Sequence, residues 1–163
     1  MLTAERLREI LSYDPESGQW IWLKPTGGRV RAGAPAGRKS GSGYWQIGID
    51  GRRYPSARLA FLYMTGAWPT LPEVDHIDHN PDNGRWSNLR EATRSQNSAN
   101  RPKPRHNTSG AKGVTWAKRE RRWVAQIMRD YKRICLGYFA TVEEAAEAYR
   151  QGAKKHFGDF ARS

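Results

Sequence analysis

Residues 74–100 read Val-Asp-His-Ile-Asp-His-Asn-Pro-Asp-Asn-Gly-Arg-Trp-Ser-Asn-Leu-Arg-Glu-Ala-Thr-Arg-Ser-Gln-Asn-Ser-Ala-Asn. Carboxylate, imidazole and amide side chains are crowded into this stretch, and its hydrophobic periodicity is weak. Such side chains do not build a core, because burying each one without a partner costs about 1–3 kcal/mol. We therefore interpret the stretch as a site with hard oxygen ligands for a metal ion and with a histidine base.

The order of the polar residues suggests how they would share the chemistry. Asp75 and His76 are adjacent, and adjacent side chains on a strand point to opposite faces, so one can bind a metal ion while the other addresses a water if the strand ends or bends there. Asn97, on a helix expected after Thr93, can offer an amide oxygen to the same ion. Asn88 can hold the intervening loop through its amide. Hydrolysis of a phosphodiester needs a metal on the phosphate and a base for the water.

Asp75-His76, Asn88-Leu89 and Asn97-x-x-Asn100 resemble the HNH endonuclease family, and their surroundings resemble a phage homing endonuclease. The resemblance implies a ββα-metal fold over residues 74–100, with a second strand at 89–92 and a helix at 94–100. It also implies that Asp75 and Asn97 bind one divalent cation, that His76 is the general base, and that Asn88 orders the loop and His76.

The third letter of the family motif is an asparagine here, which favours Mg²⁺ or Mn²⁺ because the ligands are oxygens. His79 has no assigned role; a solvated loop histidine is the stronger interpretation. Two interpretations are equally favoured for each of Arg85, Arg90 and Arg94: a contact with a phosphate, or a solvated surface charge.

The composition points to a polyanionic partner. The chain has 163 residues, 37% of them hydrophobic, with a net charge of +12 and a pI of about 10.3. Residues 1–100 carry 13 Lys and Arg against 10 Asp and Glu, a net +3, whereas residues 101–163 carry 15 against 6, a net +9. Double-stranded DNA is the expected partner, and the basic third is the expected anchor.

The remaining composition excludes several classes of protein. The single cysteine, Cys135, permits neither an intramolecular disulfide nor a cysteine-based zinc site, which fits a reducing compartment. No apolar run approaches the length of a membrane span, and the first residues do not form a signal peptide. We expect a cytoplasmic protein, in the host cytoplasm if it is phage-encoded, with no membrane partner. Monomer and dimer stay open.

The N-terminal part shows an alternation of short elements. The patterns predict a helix at 3–11, a turn at 14–18, a strand at 19–23, an irregular loop at 24–43, a hairpin at 44–54 turning on Asp50-Gly51, and a helix at 56–65 ending at Gly66. Contact of the loop at 24–43 with DNA stays open. Residues 101–110 contain two prolines and predict a stiff, solvated linker.

Lys112-Gly-Val, Trp123-Val-Ala-Gln-Ile and Leu136-Gly-Tyr-Phe, followed by an alanine-rich helix, resemble an AP2-type DNA-binding domain over residues 108–160. The alternating patterns predict strands at 112–117, 122–129 and 132–138, and Thr141 to Glu144 is a capping box that opens the helix. The resemblance implies a three-stranded antiparallel sheet laid into the major groove with the helix behind it.

The alternation along the strands divides their side chains between two faces. The DNA-facing set is expected to comprise Lys112, Thr115, Arg122, Gln126, Met128 and Arg133, with Lys118, Arg119 and Arg121 at the first hairpin tip. The core set is expected to comprise Val114, Trp116, Trp123, Ala125, Ile127, Ile134 and Leu136.

We therefore predict an α+β protein that combines a small ββα-metal unit, an N-terminal hairpin and helix region, and a three-stranded antiparallel sheet packed on one helix. The expected domains are 1–100, with the nuclease motif at 74–100, a linker at 101–110, and a DNA-binding domain at 111–160. The expected function is a site-directed, homing-type DNA endonuclease. The alternative is a DNA-binding regulator whose nuclease fold is vestigial; an RNA-binding protein is less favoured, since the strand aromatics are predicted to face inward.

Overall fold

A computed structural model describes residues 1–25 and 30–162 of the chain. The predicted loop at 24–43 falls partly on residues 26–29, which lie outside the described residues. The chain forms two compact units, residues 1–91 and residues 92–163. Within the described residues, no helix is both long enough and apolar enough to cross a membrane.

The first unit consists of short strands and two helices around one core. Its elements are α1 (Ala4–Ile10), β1 (Leu11–Tyr13), β2 (Trp20–Trp22), β3 (Arg38–Lys39), β4 (Trp45–Ile49), β5 (Arg52–Pro55), α2 (Ser56–Thr65), β6 (Glu73–His76), a 3₁₀ turn (Trp86–Asn88) and β7 (Leu89–Ala92), whose last residue is already counted in the second unit. The strands form three separate sheets with the orders β1-β2, β3-β4-β5 and β6-β7.

Local signals in the sequence explain most of these elements. Thr3 caps α1 by accepting a hydrogen bond from the backbone of Arg6, and Gly66 ends α2 with a φ of 79°. Asp50 and Gly51 have φ values of 48° and 75°, which is the backbone that a two-residue hairpin turn requires. These three predictions are confirmed.

The core of the first unit is built from both helices and from the hairpin strands. Its largest fully buried side chains are Leu7, Ile10, Leu11, Ile47, Ile49, Leu59 and Leu62. Tyr13, Trp20 and Tyr63 add a cluster of rings whose centroids lie 4.7–5.9 Å apart. Aromatic rings therefore supply much of the burial in a chain that has few aliphatic residues.

The second unit is an antiparallel sheet packed against one long helix. Its elements are α3 (Arg94–Asn100), β8 (Val114–Ala117), β9 (Arg122–Arg129), β10 (Lys132–Phe139), α4 (Val142–Phe157) and a 3₁₀ turn (Gly158–Phe160). The strand order is β10-β9-β8, and β10 carries a register irregularity between Cys135 and Gly137. Thr141 and Glu144 form the predicted capping box of α4.

Three findings differ from the sequence-based expectations. Strand β1 follows α1 directly, where no strand is predicted, and β3 lies in the loop predicted to be irregular. Trp116 was predicted in the core but is 47% exposed; it lies on the helix-facing side at the end of the sheet, and its ring centroid is 5.2 Å from that of Trp123 in an edge-on arrangement. The division into two compact units falls between residues 91 and 92, which includes α3 in the C-terminal unit, and the expected domain boundaries stay a prediction.

Candidate functional site

The end of strand β6 buries an acid and a histidine side by side. Asp75 is 5% exposed and His76 is 8% exposed, although both side chains are polar. Strand β7 pairs with β6, and the chain leaves β6 through a loop that begins with a backbone hydrogen bond from Ile77 to the carbonyl of Asn88. Asp75 and His76 are thus the last two residues of β6, at the point where the chain leaves the sheet.

The carboxylate of Asp75 is paired with a guanidinium from the neighbouring strand. Arg90 on β7 approaches one oxygen of Asp75, Oδ2, with Nε at 3.0 Å and Nη2 at 2.9 Å. The side chain of Arg90 is only 18% exposed, so the pair is largely shielded from solvent. The sequence left Arg90 open between a phosphate contact and solvated charge, and the structure gives it this partner instead.

The imidazole of His76 lies in surroundings that favour its neutral form. Burial lowers the pKa of His76, against the opposing influence of the carboxylates of Asp75, Asp78 and Asp82. The ring of Tyr44 lies 6.3 Å from it, centroid to centroid. A neutral imidazole carries one basic ring nitrogen and can accept a proton, which is the property that a general base needs.

The amide of Asn88 ties both ends of the loop that follows His76. Its Oδ1 accepts a hydrogen bond from the backbone of Asp78 at 3.0 Å, and its Nδ2 donates to Oδ1 of Asp78 at 2.9 Å and to the carbonyl of Asn83 at 2.8 Å. Asn83 in turn donates to the second oxygen of Asp78 at 2.6 Å. Asn88 therefore uses both of its polar groups on this loop.

Asp78 is the acceptor at the centre of this loop, and the sequence did not single it out. Although its partial burial raises the pKa, the hydrogen bonds from Asn83, the backbone of Asn80 and Asn88 prevail, and the pKa of Asp78 is lowered. The signal in the sequence is the run Asp-His-Asn-Pro-Asp-Asn-Gly, which is rich in residues whose side chains form hydrogen bonds with the nearby backbone in turns.

The rest of the first unit holds the far side of this loop. Asp82 accepts hydrogen bonds from Lys39 at 2.7 Å and from the indole of Trp45 at 2.8 Å. The phenol of Tyr13 donates to the carbonyl of Gly84 at 2.7 Å. Asp82 and Gly84 also line a cavity of about 370 Å³ next to Trp45.

Asn97, the predicted amide ligand, lies on α3 in the second unit. Thr93 and Gln96 form a capping box that opens this helix, so local hydrogen bonds fix the backbone conformation of the turn before Asn97. Asp75 and Asn97, the two predicted ligands, are therefore supplied by different units.

The donor chemistry of Asp75 and Asn97 fits a hard divalent ion. A buried carboxylate and an amide oxygen are ligands that Mg²⁺ and Mn²⁺ accept, and Mg²⁺ in particular uses few protein ligands and completes its shell with waters and substrate phosphates. Across residues 1–25 and 30–162, no three His, Cys, Asp or Glu side chains are grouped to hold a metal. A metal at Asp75 would share this carboxylate with Arg90.

The sheet of the second unit leaves one face open. Val114, Ala125 and Ile127 face α4 and are buried. Of the residues predicted to face DNA, the open face carries Thr115, Arg122, Gln126, Met128 and Arg133, and Lys118, Arg119 and Arg121 are exposed at the turn between β8 and β9. Val124 shares this face but is 3% exposed, because it lies in the central strand between Thr115 and Tyr138.

Lys112 differs from the other residues predicted to face DNA, because its amine is hydrogen-bonded to backbone carbonyls. It precedes β8, and its amine donates to the backbone carbonyls of Ala99, Arg101 and Arg162. Burial, with a smaller contribution from Arg162, lowers the pKa of Lys112 to about 8. This amine is therefore engaged by backbone carbonyls of its own unit, and the expected contact of Lys112 with DNA stays a prediction.

Comparisons with known proteins find matches to the part of the chain that contains the polar motif. Residues 57–99 match the family described as HNH endonuclease, a span that includes most of α2 as well as the polar motif. The chain is 38% identical over 89 residues to Protein 3.8 of Escherichia phage T7, covering 55% of this chain and 73% of that protein. No solved structure matches the chain.

A second relative carries the family in its name. The chain is 37% identical over 100 residues to the "Uncharacterized HNH endonuclease L560" of Acanthamoeba polyphaga mimivirus, covering 61% of this chain and about half, 51%, of that protein. Both relatives are viral proteins. Residues 57–99 of the chain are therefore an HNH endonuclease domain, and the chain is a relative of viral proteins.

Proposed function

We propose that the chain is a site-directed, homing-type endonuclease that hydrolyses phosphodiester bonds of double-stranded DNA with one divalent cation, Mg²⁺ or Mn²⁺. The observation that carries the proposal is the buried Asp75-His76 pair at the end of β6, with the following loop tied down by Asn88. Family membership supports a nuclease, and the net charge of +12 supports a nucleic-acid substrate.

In this proposal, each residue of the site has one task. Asp75 and Asn97 hold the cation, which when bound stabilises negative charge on the phosphate and on the leaving oxygen. His76, neutral because it is buried, accepts the proton of the attacking water on a ring nitrogen. Asn88 keeps the loop after His76 in one conformation, so the imidazole does not have to be ordered when DNA arrives.

The open face of the second unit is the proposed DNA-docking surface, in the manner of the AP2-type domain that residues 108–160 resemble. Arg122 and Arg133 are exposed on that face, and Lys118, Arg119 and Arg121 extend its charge at one end. Arginines on strands can read guanine bidentately in the major groove, and the hairpin cations can contact phosphates.

Cleavage of supercoiled plasmid tests the catalytic part. The wild-type chain is expected to cut with Mg²⁺ and to be inactive with EDTA, and His76→Ala is expected to lose cleavage while retaining DNA binding. The matched control is His79→Asn, which changes an exposed histidine of the same loop and keeps a residue type that tolerates its φ of 65°.

Two outcomes would contradict the proposal. Cleavage at the wild-type rate by His76→Ala would remove the assigned base. Binding of DNA without metal-dependent cleavage by the wild-type chain would instead favour the DNA-binding regulator with a vestigial nuclease fold.

A further inference from the structure

We propose that the tip of the β9–β10 hairpin and the amine of Lys112 are positioning groups for Asn97, because they hold the two ends of the helix that presents it. The inference rests on the proposed function, in which Asn97 is a ligand of the catalytic cation. It assigns to the C-terminal unit a part in the metal site, in addition to its part in docking DNA.

Helix α3 needs outside support. It has only seven residues, Arg94–Asn100, and a helix of this length is not stable in water on its own. Its capping box stabilises the first turn, but the rest of its stability has to come from packing. Ala99 provides part of this packing, since it is buried in the same core as Ala125, Tyr149 and Phe157.

The first clamp is a reciprocal pair of hydrogen bonds at the start of the helix. The hydroxyl of Ser95 donates to Oδ1 of Asp130 at 3.0 Å, and the backbone N–H of Asp130 donates to the same hydroxyl at 2.8 Å. Asp130 and Tyr131 both have left-handed backbones, with φ values of 49° and 63°, so the tip is a tight two-residue turn that fixes where the carboxylate points.

The second clamp is at the other end of the helix. The amine of Lys112 donates to the carbonyls of Ala99 and Arg101, which belong to the last turn of α3 and its cap and have no partner further along the helix. A positive charge at a helix C-terminus is also favourable for the helix dipole. Lys112 therefore does for the end of α3 what Asp130 does for its start.

Asn97 lies between the two clamps, two residues after Ser95 and two residues before Ala99. Its side chain can deliver an amide oxygen reproducibly only if this single turn of helix is held in place, and groups that orient a metal ligand are often worth 10- to 100-fold in affinity. The hairpin that ends in Asp130 also carries Met128 and Arg133 on the open face of the sheet. The strands that dock DNA are thus the same strands that hold the ligand.

The inference predicts weaker metal binding when a clamp is removed. The full-length chain with His76→Ala, which is not expected to cut, is mixed with plasmid DNA and titrated with Mn²⁺, and free Mn²⁺ is measured by electron paramagnetic resonance. Ser95→Ala is expected to weaken Mn²⁺ binding by on the order of tenfold. Ser98→Ala, the same change at an exposed position of the same helix, is expected to leave it unchanged.

A pair of variants at Asp130 separates positioning from mere folding. Asp130→Asn keeps an oxygen acceptor and a residue type that tolerates a positive φ, and it is expected to restore most of the affinity. Asp130→Gly keeps the backbone conformation but removes the acceptor, and it is expected to match Ser95→Ala. Metal-free DNA binding, measured in EDTA, is expected to be the same for all four variants.

Each result either supports or overturns the inference. If Ser95→Ala and Asp130→Gly bind Mn²⁺ as tightly as Ser98→Ala while Asn97→Ala does not, the positioning role is wrong and the proposed metal site stands. If Asn97→Ala and Asp75→Ala also leave Mn²⁺ binding unchanged, the proposed metal site is wrong and the inference fails with it. Equal losses of Mn²⁺ binding and of metal-free DNA binding would show a purely structural role.

Discussion

Arg90 holds a single oxygen of Asp75 with two of its nitrogens, Nε at 3.0 Å and Nη2 at 2.9 Å, inside a two-stranded sheet. The contact neutralises a buried carboxylate that would otherwise be costly at this depth. A carboxylate oxygen can accept more than one partner. Arg90 thus gives Asp75 a charge partner from the protein itself.

Removing the guanidinium is expected to destabilise the first unit. Arg90→Met leaves Asp75 buried without its charge partner, which typically costs about 3–5 kcal/mol. Urea unfolding followed by tryptophan fluorescence measures the loss. The double variant Asp75→Asn, Arg90→Met removes both charges and is expected to recover most of the stability; a double variant no more stable than Arg90→Met would contradict the pairing.

Low pH is expected to destabilise the loop that follows His76. The pKa of Asp78 is lower in the folded chain than in the unfolded one, so the stability it contributes is complete above the unfolded value of about 3.9 and disappears as the pH falls through the folded value. Asp78→Asn should therefore lower the thermal midpoint at neutral pH, and its difference from the wild type should vanish on acidification.

The control for Asp78→Asn is Asp50→Asn, which removes one negative charge at an exposed hairpin turn. A difference between Asp78→Asn and the wild type that persists unchanged to the acid limit would show that the Asp78 carboxylate is not the group responsible.

Gly18 is distant from the polar motif in the sequence, but it lies against the backbone of Gly84 within that motif. Replacing it is therefore expected to reduce stability and cleavage. A Cβ at Gly18 would lie 2.2 Å from the carbonyl carbon of Gly84, whereas a Cβ at Gly33 would meet nothing within 4 Å. Both glycines have positive φ, 76° and 81°, so both alanine variants suffer the same backbone strain of about 1 kcal/mol. The extra loss of Gly18→Ala over Gly33→Ala, in unfolding and in plasmid cleavage, measures the steric contact; equal losses would argue against it.

Salt dependence is expected to identify the docking surface. Lys118→Ala with Arg119→Ala removes two exposed charges at the β8–β9 turn, and it should lower the slope of log affinity against log salt by about 2 if both contact phosphates. Lys154→Ala with Lys155→Ala removes the same charge from the exposed side of α4, away from the open face of the sheet, and should leave the slope near that of the wild type. Equal slopes for the two double variants would contradict the assigned surface.

The elements that the sequence predicted correctly are those whose cause is local. The Asp50-Gly51 turn, the Gly66 cap and the capping box at Thr141 each depend on residues within four positions of one another, and the structure contains all three. The helix at 94–100 was expected from the resemblance to the HNH family, and in the structure Thr93 and Gln96 form the capping box that starts it.

What the sequence did not predict depends on partners distant in the chain. Nothing near Arg90 shows that it faces Asp75, fifteen residues earlier, and nothing near Asp130 shows that it meets Ser95. The exposure of Trp116 follows from how far the packed helix extends over the sheet, which alternation along one strand does not reveal. The assignment of α3 to the second unit arises in the same way, from Lys112 and from the burial of Ala99.

The placement of α3 in the C-terminal unit has a consequence for recombination between related nucleases. If modules that read DNA are traded between nucleases by recombination, a crossover at residue 100 would separate the helix from the strands and the lysine that support it. A crossover near residues 91 and 92 would transfer the helix together with the strands and the lysine that brace it. Chimeras joined at the earlier junction should inherit a working active site, whereas those joined at the later one should need compensating substitutions.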